Sequence, residues 1–565
     1  MRLQRDLAAI DGSYDLVVVG GGITGVCVAR EAAGRGLRTL VVDKGDWGSG
    51  TSSATSKYLH GGIRYLETYQ FALVREALRE RRIVSMAAPH LVEPRRFLLP
   101  CWDWTRPGRT LLGAGVALYE LLAYDKNRGV PPDLRMPHAR WLSKRQALAA
   151  VPWLAPEGLK GAYAYHDVLN VHAERLLLAM LVAAVEAGAT ALNHVRVAGF
   201  ATTAGPAGEV RVDGVELVDT LGGATRRVSA RLVVNAGGPW LDHVLAPLGR
   251  PLGVGVQRSK GVHVLTRPLG GDDAVLARAP NGRHVIVSPW EGHSLLGPTD
   301  TPMAEHPDDV AVDDTDVAEI LATVNATSTA ALTPDDVESV TVGIRPLVVE
   351  DGKDTYTASR RTELYDHGTA GVVGLWSIAG GKWTTSRGEA ERIVGRLVRT
   401  DELRGRATRR FDSARHGVAG AFGWAIDAEP YLDAAVHHRP EIPVPPPVRR
   451  HLARLYGTGH ERVLDLVAAD PALAAPLSAR PGRLDIAAQA VFAVADEQAR
   501  TLADVTDRRL VLGTLGPLTD DELAAVAGVV APLLGWDAGR RAEEIERGRA
   551  RRRAVEALRR PSTPR

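Results

Sequence analysis

The sequence predicts an α/β protein with an appended helical region. Three observations predict it: a strand, turn, helix and strand in succession near the N-terminus, alternating apolar runs in the middle of the chain, and helical patterns after about residue 405. The first unit is YDLVVVGGGITGVCVAREAAGRGLRTLVVD, Tyr14 to Asp43. Leu16 to Val19 form an apolar, β-branched run, and Gly20, Gly22 and Gly25 follow at G-x-G-x-x-G spacing. That spacing gives a tight turn, close backbone approach to a pyrophosphate and close helix packing. The helix opening there leaves amide donors and the positive end of its dipole facing the turn, which favours anions. Asp43 closes the second strand roughly 20 residues after the glycines, where a carboxylate accepts hydrogen bonds from a ribose diol. All parts of a dinucleotide-binding unit are thus present in order and register.

Composition bounds the rest. At 565 residues the chain exceeds one ordinary core, and two or three domains are expected. The 69 basic and 67 acidic residues nearly cancel, which argues against a protein whose main task is neutralising nucleic-acid phosphates. Cys27 and Cys101 are the only cysteines, too few for a disulfide framework or a thiolate cluster, and they fit as apolar filling in a reducing compartment. The N-terminal MRLQRDLAAIDGSYD has no long apolar region, so no secretory signal is expected. An uninterrupted apolar stretch of about 18 residues is also missing, and a cytoplasmic location is expected.

Further along, RLVVNAGG (231–238) reads as a returning strand and glycine turn, and GVVGLWSIAGGKWTT (371–385) as a last strand and turn. The nucleotide-binding domain is therefore expected to be discontinuous, over about 14–69, 161–249 and 371–400. The insertions, about 70–160 and 250–370, hold alternating runs such as GVHVLT and HVIVSPW that predict an antiparallel sheet. From 405 to about 555 an α-helical domain is expected, with IPVPPP (442–447) as a stiff connector.

After Asp43 the chain enters TSSATSKYLHGGIRYLE (51–67), dense in hydroxyls, glycines and cations. Short hydroxyl residues and glycines let a backbone run close to a flat ring system, with Lys57, His60 and Arg64 offering charge or protons beside it. This stretch, with NAGGPW (235–240), SKGVHV (259–264), LGPTDT (296–301), VGIRPL (342–347) and IAGGKWTT (378–385), closely resembles the FAD-dependent glycerol-3-phosphate dehydrogenase family over 14–400, and the tail resembles that family's helical C-terminal domain. The resemblance implies an FAD-binding, Rossmann-like domain of the D-amino-acid-oxidase and glutathione-reductase type and an antiparallel substrate domain roofing the flavin; a homodimer is expected, and noncovalent FAD too, since Cys27 on the first helix is not an obvious flavinylation site. It also implies oxidation of sn-glycerol 3-phosphate to dihydroxyacetone phosphate, with hydride passing from C2 to flavin N5 and electrons going on to a quinone, or to oxygen in an oxidase. An amino-acid oxidase of the same fold and a flavin-bearing module without turnover are the alternatives.

Oxidising a secondary alcohol on a phosphate ester requires a hydride acceptor, a base, and cations that hold the dianion in place. Arg64, Arg345 and Lys382 sit in glycine- or proline-flanked motifs rather than on helical stripes. Arg345 fits as the planar fork for phosphate or the C2 oxygen, with Arg64, Tyr65 and Lys382 completing the anion pocket and Thr384 as a hydroxyl donor. For the base, His60, His263 and an ordered water are open; His263 is favoured because K-G-x-H resembles a flavin-face motif. Gly61 and Gly62 shape the loop at the ring, while Gly380 and Gly381 precede a helix whose free amides could face the flavin N1 and O2 edge. Ser52, Ser53, Ser56 and Gly237 complete the expected cofactor contacts.

Other clusters carry less. His437 and His438 read as a solvated pair, and no metal site is expected. LLGAGVALYELLAY (111–124) could lie in a membrane interface or be a buried helix, and the basic RGRARRRAVEALRR could meet anionic lipid or be a solvated helix end. Peripheral contact with the inner face of the cell membrane is expected for a quinone-linked member of the family the chain resembles, and these two segments are the candidates for that contact.

Overall fold

A computed structural model describes residues 3–8, 10, 12–205, 208–279, 282–348 and 361–559. Strand β1 (Ser13–Val19) lies parallel to β2 (Thr39–Val42) on one side and to the Thr225–Asn235 strand on the other. The register pairs Leu16 with Thr39 and Leu232, and Val17 with Leu40 and Val233. The parallel row continues outward through Thr190–Leu192 beside β2 and Leu375–Ala379 beside Thr225–Asn235. Both faces of such a sheet must be covered, so its strands are apolar without alternation. Leu16, Val17, Val18, Leu40, Val41 and Val42 are all fully buried. Each stabilises the fold by about 1.5–3 kcal/mol relative to an exposed side chain.

Helix α1 (Ile23–Gly34) covers one face, packed between the Ala173–Glu186 and Ser386–Leu397 helices. Its approach to the turn is so close that a Cβ on Gly25 would stand 1.9 Å from the Gly20 carbonyl oxygen. The third fingerprint glycine is therefore a packing requirement. Cys27 lies inside this layer with its Sγ 3.7 Å from Met180 Sδ, and burial pushes its thiol up to about 12. That is the apolar filler its composition suggested.

A second, ten-stranded sheet is mostly antiparallel. One of its two longest ladders joins Val256–Thr266 to Val337–Val348, placing Ser259 opposite Arg345 and His263 opposite Thr341. The Val92–Trp102 and Leu159–Asn170 strands pair from Val92↔Asn170 to Trp102↔Leu159. That ladder carries the second sheet past the expected break near 160, and Tyr58–Leu59 extends it further by pairing with Leu169 and Val168. The loop carrying Lys57 and His60 is thus tied to the second sheet, while Gly20 and Gly22 hang from the first. The site forms where the two sheets meet.

The C-terminal region is helical from Ala428–His437 to Ala538–Arg559. IPVPPP leads directly into a helix: Pro445 is the N-cap and Pro446 the first residue of the Pro446–Tyr456 helix, where the missing amide of proline costs nothing. This region docks on the loop after β2. Asp46 accepts from Arg509 at 2.8 Å, Trp47 Nε1 donates to Gln498 Oε1 at 3.0 Å, and Arg175 forks onto Glu497 at 2.7 and 2.8 Å.

The 111–124 segment forms most of α3 (Arg109–Leu122), which buries only Val116 and Tyr119. It is a surface helix, with Leu111, Leu121 and the following Tyr124 exposed. No described helix is long and apolar enough to cross a membrane. In the basic tail, Arg549 and Arg552 pair with Asp520, Arg551 with Asp507 and Arg553 with Glu546, so those cations are engaged within the fold. His438 pairs with Glu461 at 2.9 Å on the surface.

Candidate active site

A cavity of about 1240 Å³ runs from the glycine turn to the cation motifs. Gly20, Gly22, Asp43, Ser52, Ser56, His60, Gly62, Arg64, Tyr65, Gly237, His263, Arg345, Gly380, Gly381, Lys382 and Thr384 all line it. Gly25, Ser53 and Gly61 stand behind the lining. Six segments that are remote in sequence therefore reach one space.

At one end the walls are backbone. Gly22 is the N-cap of α1 and offers no side chain, so Ser52 supplies the cap by accepting from the Ile23 amide at 2.9 Å. Asp43 accepts from the amides of Gly21 at 2.6 Å and Gly45 at 2.8 Å, fixing the turn to the end of β2. Burial pushes the Asp43 carboxyl up, and those two amides oppose it. Gly237 donates to Asn235 Oδ1 at 3.0 Å, holding a second glycine turn beside the first. Opposed glycine turns and a helix N-terminus are the donors that the diphosphate of FAD requires, and a carboxylate is the acceptor that its ribose hydroxyls require. Ser53 serves the loop instead, donating to the Gly50 carbonyl at 3.2 Å.

At the other end the walls are side chains. Arg345 donates to Ser259 Oγ at 3.1 Å and the Thr299 carbonyl at 2.7 Å, with the Asp300 carboxylate 3.7 Å away. The guanidinium lies against Gly261, where a Cβ would stand 2.5 Å from Nη2. The glycine of SKGVH is there to make room for the fork. Lys382 Nζ stands 3.6 Å from the Tyr65 ring centroid and the Arg64 guanidinium 5.5 Å from it. Thr384 Oγ1 accepts from the His60 amide at 3.2 Å, which joins the GGK turn to the HGG loop. Gly62 has φ +73, and a Cβ there would enter the Tyr65 ring at 2.3 Å.

His263 differs from the expectation for a base. It is 4% exposed, its Nε2 is 2.8 Å from Ser56 Oγ, and burial, with Arg345 and Lys57 nearby, pulls its pKa down to about 3. A neutral imidazole held that low is a weak proton acceptor and a good orienting partner for Ser56. His60 remains partly open to the cavity. Lys57 is buried and paired with Glu174 at 2.5 Å, so its charge is spent on the fold.

Sequence reasoning missed the partners of these groups. Ser259, Thr299 and Asp300 lie inside quoted motifs, yet nothing in their order says that they surround Arg345. Tyr119 and Asp167, which meet the Gly61 amide from behind, lie in no motif at all.

A family model described as FAD dependent oxidoreductase matches residues 15–387, and one described as the C-terminal domain of alpha-glycerophosphate oxidase matches 413–541. The chain is 35% identical to a glycerol-3-phosphate dehydrogenase of Synechocystis over 93% of each chain. It is 34% identical to glycerol-3-phosphate dehydrogenase 2 of Mycobacterium tuberculosis over 93% of this chain and 86% of that one. Among solved structures, the glycerol-3-phosphate dehydrogenase of Bacillus halodurans complexed with FAD superposes with a TM-score of 0.77 at 28% identity, covering 96% of this chain and 95% of that chain. With its two-sheet cavity and these full-length relatives, the chain belongs to the FAD-dependent glycerol-3-phosphate dehydrogenase family.

Proposed function

We propose that the protein oxidises sn-glycerol 3-phosphate to dihydroxyacetone phosphate and passes the electrons to a quinone. The observation that carries this reading is the convergence of Arg64, Lys382 and Arg345 on the same cavity as the glycine turn. Bound noncovalently, FAD would supply a hydride acceptor at N5. The chain does the rest. Gly20, Gly22, Gly237 and the α1 N-terminus hold the diphosphate, and Asp43 the ribose. Arg345 binds the phosphate or the C2 oxygen with a planar fork, and Arg64 and Lys382, gathered on Tyr65, neutralise the remaining charge. His60 takes the hydroxyl proton, in preference to the buried His263, and the Ser56–His263 pair orients the alcohol.

Quinone is favoured over oxygen by two features, the dehydrogenase names of the full-length relatives and the apolar outer face of α3. Exposed Leu111, Leu121 and Tyr124, with Tyr69 and Phe71 also exposed and with exposed Arg106, Arg109 and Arg128 close by in sequence, suit a helix lying in the headgroup layer of an anionic membrane. The alternative acceptor is oxygen, favoured by the oxidase name of the matching C-terminal domain. The test is anaerobic mixing of flavin-loaded protein with glycerol 3-phosphate while following absorbance, then addition of a quinone or of oxygen. Bleaching by glycerol 3-phosphate and rapid recovery with quinone alone are expected. An unbleached flavin overturns the substrate, and equally fast recovery with oxygen overturns the dehydrogenase reading.

A further inference from the structure

The HGG loop rests on a buried relay that no motif contains. The Gly61 amide donates to the Tyr119 hydroxyl at 2.9 Å, and Tyr119 donates to Asp167 at 2.9 Å. Asp167 accepts a charge-assisted bond from Arg81 of α2 (Phe71–Ala87), and Arg81 also donates to the His166 carbonyl at 3.1 Å. Tyr119, Asp167 and Arg81 are each about 1% exposed. Burial lifts the Tyr119 hydroxyl well above its ordinary range, so it stays protonated and acts as donor. Hydrogen bonds in such a chain polarise one another; the Gly61 amide also reaches Asp167 Oδ1 at 3.3 Å, so both Tyr119 and Asp167 hold it in one arrangement, while Arg81 Nε has no partner among the described residues.

That arrangement sets where the loop sits. A Cβ on Gly61 would stand 2.4 Å from the Tyr119 oxygen and 2.6 Å from Leu78, so the amide and the hydroxyl meet with no slack. On either side of Gly61, His60 and Gly62 line the cavity, with Arg64 and Tyr65 following at once. Of the two side chains that α3 buries, Tyr119 alone is polar.

We propose that Tyr119 and Asp167 are positioning residues for the reaction: they fix the His60–Gly61–Gly62 loop against the flavin and so govern the chemical step without touching substrate. The inference rests on the glycerol 3-phosphate reading for its kinetic readout and is independent of it for its spectroscopic one. Displacement of a reacting group by about 1 Å costs on the order of a hundredfold in rate, whereas binding through Arg345 and Lys382 needs no such register.

The experiment uses Tyr119→Phe, which removes one oxygen and keeps the ring, in the flavin-loaded full chain. Expected are unchanged flavin content, kcat lowered tenfold or more, KM for glycerol 3-phosphate within about twofold, and a displaced visible absorption band of the bound flavin. Asp167→Asn keeps an acceptor at Oδ1 but strips buried Arg81 of its counter-charge, so it should lower kcat at least as far as Tyr119→Phe and lower the melting temperature as well. Glu120→Gln, which removes the charge that ties the end of α3 to Lys126 beyond it, measures general loosening of that helix and should change none of these. An unchanged kcat and spectrum in Tyr119→Phe overturns the proposal, as does an equal loss in Glu120→Gln. If the parent is not bleached by glycerol 3-phosphate, the substrate reading fails and the spectral comparison still decides the relay. A variant that folds yet loses flavin would make the relay a determinant of cofactor binding, and that too overturns it.

Discussion

The two ends of the cavity are built in opposite ways. At the nucleotide end the ligand would meet backbone, with the α1 amides and the turns at Gly20 and Gly237 held by Asp43, Ser52 and Asn235. At the substrate end it would meet side chains, with Arg345 propped by Ser259, Thr299 and Asp300, and Lys382 and Arg64 on Tyr65. A backbone site tolerates almost no added atom but is indifferent to charge. A side-chain site depends on charge and on the angle of a few groups. Substitutions at the two ends should therefore fail differently.

The largest effect is expected at the backbone end. Among the described residues beyond its chain neighbours and its own helix backbone, an added Cβ on Gly22 meets Ser52 Oγ alone, at 3.3 Å, so Gly22→Val should fold. Its branched side chain would occupy the space of the pyrophosphate. Purified Gly22→Val should carry little flavin at a near-normal melting temperature, read by the ratio of flavin to protein absorbance. Full flavin content in that variant would end the assignment of this turn to the cofactor.

The next effect belongs to the other end. Arg345→Lys keeps the charge and loses the fork, so it should retain FAD while kcat/KM falls on the order of a hundredfold, a loss of roughly 3 kcal/mol in transition-state stabilisation. Gly261→Ala, which adds a methyl against the same guanidinium, should cost on the order of tenfold by tilting it. Lys382→Ala should mainly raise KM. Steady-state kinetics on the three variants sharpen the comparison: if Arg345→Lys turns over glycerol 3-phosphate as the parent does, Arg345 is a structural cation and the side-chain end has been misread.

The same contrast explains what could be read from sequence. The nucleotide end is local: glycine turn, helix and Asp43 lie within one βαβ unit, so spacing alone announced both the fold and the chemistry. Its distant supports are Ser52, which caps Ile23 from 29 residues away and was visible only within a serine-rich run, and the Asn235–Gly237 turn, which was legible from its own strand and glycines. The substrate end is assembled across the chain. Arg345 meets Thr299 from 46 residues away and Ser259 from 86, and no periodicity encodes such a meeting; a family resemblance was needed to join those motifs. The relay behind Gly61 escaped even that, because Tyr119 reads as one more apolar position on α3 and Asp167 as a polar residue in a strand. The second sheet was legible as alternating runs, but the strand ending at Asn170 was not, since its reach is set by pairing with Val92 rather than by its own pattern.

The smallest expected effect concerns protons at the substrate end. His263 is held near 3 by burial and by Arg345 and Lys57, and His284, also lining the cavity, is held near 4 by burial and by Arg64 and Arg278. Both are neutral in the folded protein at pH values where the unfolded chain, with ordinary histidines, binds protons. The unfolded state therefore takes up more protons between about pH 6.5 and the folded values, and stability falls as pH falls through that window. For a group as buried as His263 the loss at pH 5 is about 2 kcal/mol. His263→Gln keeps a partner for Ser56 and cannot titrate, so its melting temperature should fall less steeply from pH 7 to pH 5 than the parent's. Because Arg345, one of the two cations that depress His263, is also proposed to bind the substrate, Arg345→Ala should also flatten the parent's fall, and a substitution confined to the nucleotide end, such as Gly22→Val, should not. Parallel curves for the parent and His263→Gln would mean that the imidazole already carries its proton in the fold, which would return it to the list of groups able to exchange one with the alcohol.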